Sequence, residues 1–85
     1  MLTRALNDLK NPKSNTGSLQ ILGTFTGSDG SCGFETGKRY ELIVKYARGR
    51  NRFEAKTKDG RLFCPYQSAD AFAKNWIASA IQKGA

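Results

Sequence analysis

The chain contains no histidine among its 85 residues, and that absence removes much of the chemistry open to a small protein. A serine or cysteine nucleophile has no imidazole to activate it, and His-ligated metal sites are excluded. Cys32 and Cys64 stand far apart, each next to a turn. A metal would need more ligands than these two. An intracellular disulfide between them is not expected. Cys64, between Phe63 and Pro65, reads as a small buried hydrophobe. Cys32 lies in a glycine-rich loop that could leave its thiol exposed and reactive. Asp29 and Glu35 flank that loop, and paired carboxylates can run glycoside hydrolysis. No other residue supports that use, and a turn-capping Asp is the ordinary explanation.

The run Gly33-Phe-Glu-Thr-Gly37-Lys38 approaches a phosphate-binding loop. It has three residues between its glycines where four are needed, and Arg39 follows the lysine where Ser or Thr is needed. No strong helix follows, so no helix N-terminus would face a phosphate. An NTPase is excluded, and a small nest of backbone amides is the most this loop offers an anion. We expect no enzyme, no catalytic residue, no metal and no cofactor.

Positive charge is what the chain has in excess. Fourteen Lys and Arg stand against seven Asp and Glu, a net charge of +7. Nine of those cations and only three acids fall between Lys38 and Arg61. The candidate ligand-binding residues are therefore Lys38, Arg39, Lys45, Arg48, Arg50, Arg52, Lys56 and Lys58. Arg48-Gly-Arg-Asn-Arg52 puts three guanidiniums on one hairpin tip, and the rigid fork of Arg matches phosphate oxygens. Such a tip could straddle a nucleic-acid backbone or clamp a smaller anion. It would serve equally as a solvated, solubilising turn. Tyr40, Tyr46, Phe53, Phe63 and Tyr66 interleave with the charges, and exposed aromatics beside Arg make a stacking platform for bases. Tyr46 and Tyr66 are the stacking candidates. Phe53 and Phe63 are assigned to the core, because a domain this small needs them there.

The elements that must position these groups can be read from periodicity. Leu2, Ala5, Leu6 and Leu9 form a helical stripe, and Asn11-Pro12 ends it. This two-turn helix and the polar segment from Lys13 make an N-terminal unit, residues 1–18. A small β domain follows, residues 19–85. Leu19–Thr26 reads as a strand with Leu19, Ile21 and Phe25 on one face. Gly27–Gly37 is a loop whose glycines supply positive φ. Tyr40–Tyr46 alternates cleanly, Ala47–Asn51 turns, and Arg52–Lys58 alternates again with Phe53, Ala55 and Thr57 on one face. Asp59-Gly60 predicts a tight primed turn. Arg61–Cys64 returns, ended by Pro65, which completes a three-stranded antiparallel meander. Ser68 is a good N-cap, and the apolar spacing that follows argues one helix from Ser68 to Lys83.

Size and hydropathy bound the rest. A chain of this length is one domain with a small core, so a second copy or a partner would help it. No apolar run reaches the length of a membrane span, and the first ten residues lack the apolar stretch of a signal peptide. These point to the cytoplasm, with no membrane partner.

Four segments together resemble short phage and prophage proteins: Gly27-Ser-Asp-Gly-Ser-Cys-Gly-Phe34, Gly37-Lys-Arg-Tyr-Glu-Leu42, Cys64-Pro-Tyr-Gln-Ser68 and Phe72-Ala-Lys-Asn-Trp76. The second Cys-containing element is the more specific; here Gln67 replaces the first Ser of its usual pair. The resemblance implies a small barrel of the Src-homology-3 type in the cytoplasm of a bacterial host cell. It also implies that a short helix, Ser68–Lys74, is followed by a closing strand, Asn75–Ser79. We favour helix then strand at Trp76, because a barrel needs that strand to cover its edge. The expected fold is thus mainly β, a small antiparallel barrel or rolled sheet with a short N-terminal helix and a C-terminal helical segment. The expected function is binding of a nucleic acid or a nucleotide-type anion. The phage resemblance adds an inhibitor of a bacterial defence or transcription complex, acting on protein or by sequestering a nucleotide, and a structural virion or prophage part able to form a homo-oligomer.

Overall fold

The computed structural model describes residues 2–13 and 17–84. The centre of the polar segment, 14–16, lies outside the described residues. Helix α1 spans Leu2–Lys10, as the stripe predicts; Leu6 and Leu9 are buried, and Leu2 and Ala5 pack beside them. Five antiparallel strands follow: β1 Ser18–Phe25, β2 Arg39–Ala47, β3 Arg52–Thr57, β4 Phe63–Tyr66 and β5 Trp76–Gly84. They form one sheet in the order β4-β3-β2-β1-β5. Helix α2, Ala69–Ala73, lies between β4 and β5 in the chain.

The sheet has an inner and an outer face. Leu19, Ile21 and Phe25 of β1, Leu42 and Val44 of β2, Phe53 and Ala55 of β3, and Cys64 and Tyr66 of β4 all point inward. Helices α1 and α2 cover this face, adding Leu6, Leu9, Ala69 and Phe72. Alternation then sends Gln20 and Leu22, Glu41, Ile43 and Lys45, and Glu54 and Lys56 to the outer face.

The C-terminal segment corrects the periodicity reading. Residues 76–84 form a strand paired with β1 along its length, so one helix from Ser68 to Lys83 does not form. Helix α2 stops after five residues. Ser68 Oγ caps its start by accepting from Ala71 N, and Asn75 Nδ2 donates to the Ala71 carbonyl at its end. The open edge of β1 offers a ladder of backbone hydrogen bonds, and that non-local pairing outweighs the helical spacing. The strand also runs past Ser79, the end implied by the resemblance. A bulge interrupts the pairing between Leu22 and Gly23, where Ser79 is the extra residue on β5. Gly23 lies beside it, where a Cβ would sit 3.2 Å from the Trp76 ring and 3.3 Å from the Ile77 carbonyl oxygen, so a side chain there would make these neighbours give by a few tenths of an ångström.

Three smaller expectations also change. Pro65 does not end β4 but lies inside it, opposite Glu54; β4 is an edge strand, where a missing N–H is tolerated. The Asp59-Gly60 turn is not of the primed type, since Gly60 has φ +79° but Asp59 is not at positive φ. It is instead an i→i+3 turn closed by Gly60 N to the Thr57 carbonyl at 2.8 Å, with Asp59 Oδ1 accepting from Thr57 Oγ1 and Arg61 N. Finally, the sheet does not close into the expected barrel, for β4 and β5 do not pair.

The cysteines depart furthest from expectation. Cys32 and Cys64 form a disulfide, with Cα atoms 5.6 Å apart. Neither is a free thiol, so the reactive Cys32 is overturned, whereas Cys64 is buried in the core as expected, but as one half of a disulfide. A one-turn 3-10 helix, Ser31–Gly33, swings Cys32 toward the edge strand, with Gly30, Cys32 and Gly33 all at positive φ. The bond ties the glycine loop to β4, next to the unclosed side of the sheet.

Candidate functional site

The basic residues do not gather at the hairpin tip. Arg48 turns back to helix α1, where its guanidinium donates to the carbonyls of Lys10 at 2.8 Å and Asn11 at 3.3 Å. These are groups a helix C-terminus leaves without partners. The same guanidinium lies 5.6 Å over the Tyr46 ring, and Lys10 Nζ lies 5.9 Å from it. Tyr46 is therefore a half-buried platform that docks α1, with its other contact an edge-on Phe53 ring at 5.0 Å. It is not an open stacking face. Arg50 and Arg52 both bond the Glu54 carboxylate, at 3.1 and 2.9 Å. Those bonds hold Glu54 below the usual carboxylate range, Arg52 first and Arg50 second. The three guanidiniums of the tip are thus divided between a helix cap and one shared acid.

Tyr66 is excluded as a stacking residue. It is buried on the inner face, where its Oη accepts from Trp76 Nε1 at 2.9 Å, and burial pushes its phenol upward, with the indole bond opposing. Trp76 itself sits among Phe25, Phe34, Tyr40 and Phe72 in an aromatic cluster at the centre of the core. Lys38 is engaged with Glu35 at 3.2 Å beside the glycine loop, and that hydrogen bond raises its pKa.

The remaining predicted cations do come together. Arg39 and Lys45 on β2, Lys56 on β3 and Lys58 just beyond it all belong to the outer side of the sheet. Arg39, Lys45 and Lys56 are exposed and make no ion pair among the described residues, while Lys58 Nζ stands 3.7 Å from Glu41. Register places Lys56 directly between Phe63 on β4 and Ile43 on β2, and Ile43 in turn opposite Gln20 on β1. Lys45 is the next outward residue along β2. Glu54, the other outward acid, is already matched by two arginines.

Phe63, expected in the core, is not there. It is 48% exposed, next in line to Lys56 on the outer face. The signal that places it outside is the parity of β4: Cys64 and Tyr66 oppose the inward Ala55 and Phe53, so Phe63 must face outward. Phe53 is buried as expected. Leu22 and Ile43 are half-buried neighbours on the same face, and with Glu41, Lys58 and Ala80 they line a shallow groove of about 420 Å³. The face therefore combines a short apolar strip, one open aromatic ring and a margin of unpaired cations. It contains no group of His, Cys, Asp or Glu able to hold a metal among the described residues. No described helix is long and apolar enough to cross a membrane.

Comparison with family models, with curated proteins and with solved structures gives no match.

Proposed function

We propose that this protein is a non-enzymatic binding module for a nucleic-acid-type polyanion, and that its site is the outer face of β2 and β3. The observation that carries the reading is the alignment of Arg39, Lys45, Lys56 and Lys58 on one side of the sheet, against acids that are few and already paired. A repeating phosphate chain is matched by a row of flexible cationic side chains backed by a rigid sheet, and such contacts release counterions. The hairpin arginines lie at the end of this row. Arg50 and Arg52 leave one positive charge in excess over Glu54, whereas Arg48 is spent on the helix.

The test is binding of labelled nucleic acid as a function of salt. Affinity should fall steeply between about 50 and 200 mM salt, with a log–log slope of about −0.9 per contact on duplex and −0.7 on single strands. The double variant Lys45→Ala/Lys56→Ala should lower that slope by about two contacts, whereas Arg48→Ala should leave it unchanged. Binding that ignores salt would overturn the reading.

The phage resemblance supports a second reading, an inhibitor of a bacterial protein complex. What favours it is strand β5, an unpaired edge uncharged from Trp76 to Gln82, with Ile77 63% exposed. Pull-down from nuclease-treated bacterial lysate separates the two, since a protein partner survives nuclease and a nucleic acid does not. The strand order also supports assignment to the Src-homology-3 type, a four-strand meander whose fifth strand returns beside the first. A bacterial cytoplasm is the setting this reading implies. There the disulfide would meet a reducing thiol pool, and alkylation on lysis would show which form is present.

A further inference from the structure

Among the described residues, Phe63 is the only phenylalanine or tryptophan left on the surface. The other rings of these types, Phe25, Phe34, Phe53, Phe72 and Trp76, are all buried, and Phe63 packs on no other aromatic ring among the described residues. It stands on an edge strand and is 48% exposed. Lys56 is directly opposite it, and Lys45 lies one outward position further along β2.

From this juxtaposition we infer that the ligand is single-stranded nucleic acid, with one unpaired base stacked on Phe63 and its phosphates on Lys56 and Lys45. The inference rests on the polyanion reading and narrows it. Bases inside a duplex are already stacked on their neighbours and offer no face to a protein ring. An unpaired base does, and stacking of this kind tolerates any base because each has a π-face. A duplex would use only the lysines, leaving the exposed ring without a role. The half-buried Ile43 and Leu22 continue the apolar strip inward from Lys56, which suits the edge of a flexible strand better than a rigid phosphate ridge.

The experiment is fluorescence anisotropy with a labelled oligothymidylate and with a mixed-sequence duplex of equal length, each at two salt concentrations. Wild type is compared with Phe63→Ala, Phe63→Trp and Lys56→Ala. The single strand should bind more tightly than the duplex. Phe63→Ala should weaken the single strand by about 5- to 160-fold, the loss expected for one base–aromatic stack, and leave the duplex within about twofold, since phosphate contacts do not involve the ring. Phe63→Trp should retain single-strand binding, and Lys56→Ala should weaken both polymers and flatten their salt dependence. Because the ring is exposed, an unchanged melting temperature in Phe63→Ala verifies that the fold is intact. Equal or tighter duplex binding, or no response to Phe63→Ala, overturns the single-strand inference while leaving the polyanion reading standing. Failure of both polymers to bind in a salt-dependent way overturns both.

Discussion

Replacing Tyr66 by Phe removes one oxygen from the centre of the protein and separates two roles for this residue. In the wild type, the Trp76 indole N–H donates to Tyr66 Oη at 2.9 Å, and both side chains are buried. Phenylalanine keeps the ring and its edge-on packing against Phe72 at 4.8 Å, so no large cavity opens. What is lost is the acceptor. A buried donor left without a partner costs about 1–3 kcal/mol. For a domain of this size each kcal/mol lowers the melting temperature by about 4–8 °C, so a fall of about 5–20 °C is expected. Trp76 is the sole tryptophan, and its emission reports both the unfolding transition and the loss of the bond in the native state. The alkaline limb should change as well. Burial raises the folded-state pKa of Tyr66 above its ordinary 10.0, so the native state favours the neutral phenol. That contribution is whole below the unfolded value and is lost as pH rises through the raised one. In Tyr66→Phe the decline of stability above about pH 10 should be shallower. Nucleic-acid affinity should not change. A melting shift under about 2 °C would refute the burial argument, and a large loss of affinity with stability intact would restore Tyr66 as a ligand residue.

Other perturbations reach the rest of the structure. Cys32→Ser should cost roughly 3–4 kcal/mol, the loop-closure entropy of a bond spanning about this separation, seen as a lower urea midpoint; an unchanged midpoint would mean that the bond constrains nothing. Arg48→Ala should destabilise by about 1 kcal/mol through the loss of its two exposed hydrogen bonds to the helix end. It should also speed amide exchange across residues 2–10, whereas unchanged protection there would show that α1 docks without it. Gly33→Ala combines a φ of +88° with a Cβ 2.7 Å from the Leu62 side chain and should cost about 1–3 kcal/mol, measured by thermal unfolding; no loss would show that the glycine loop adapts.

Much of the fold follows from local pattern. The alternation of Tyr40, Leu42, Val44 and Tyr46 and of Phe53, Ala55 and Thr57 defines the inner face, and the stripe of Leu6 and Leu9 defines the helix that covers it. The segments that resist reading are those decided by distant partners. Ile77, Ala80 and Ile81 carry helical spacing, but β1 sits alongside and pairs them as a strand. Leu62-Phe-Cys-Pro-Tyr66 is a nearly continuous apolar run with no visible parity, so only its register against β3 sends Phe63 outward. The cysteines are brought together by a left-handed turn that spacing alone does not reveal.

The candidate site was legible in its charge and not in its arrangement. Nearness along the chain grouped Arg48, Arg50 and Arg52, yet the first meets the carbonyls ending α1 and the others meet Glu54. Lys45 and Lys56 looked unremarkable as single lysines in two strands. Antiparallel pairing makes them diagonal neighbours on one face, and the helices that cover the opposite face leave this one open to solvent.

A titration of uniformly 15N-labelled protein with a short oligothymidylate, followed by backbone amide shifts, tests the central claim most directly. The account predicts that the largest changes fall on β2, β3 and β4 around Ile43, Lys45, Lys56 and Phe63, with smaller changes at Arg50 and Arg52. Changes confined to the glycine loop or to α1 and Arg48, or no changes at all, would contradict it.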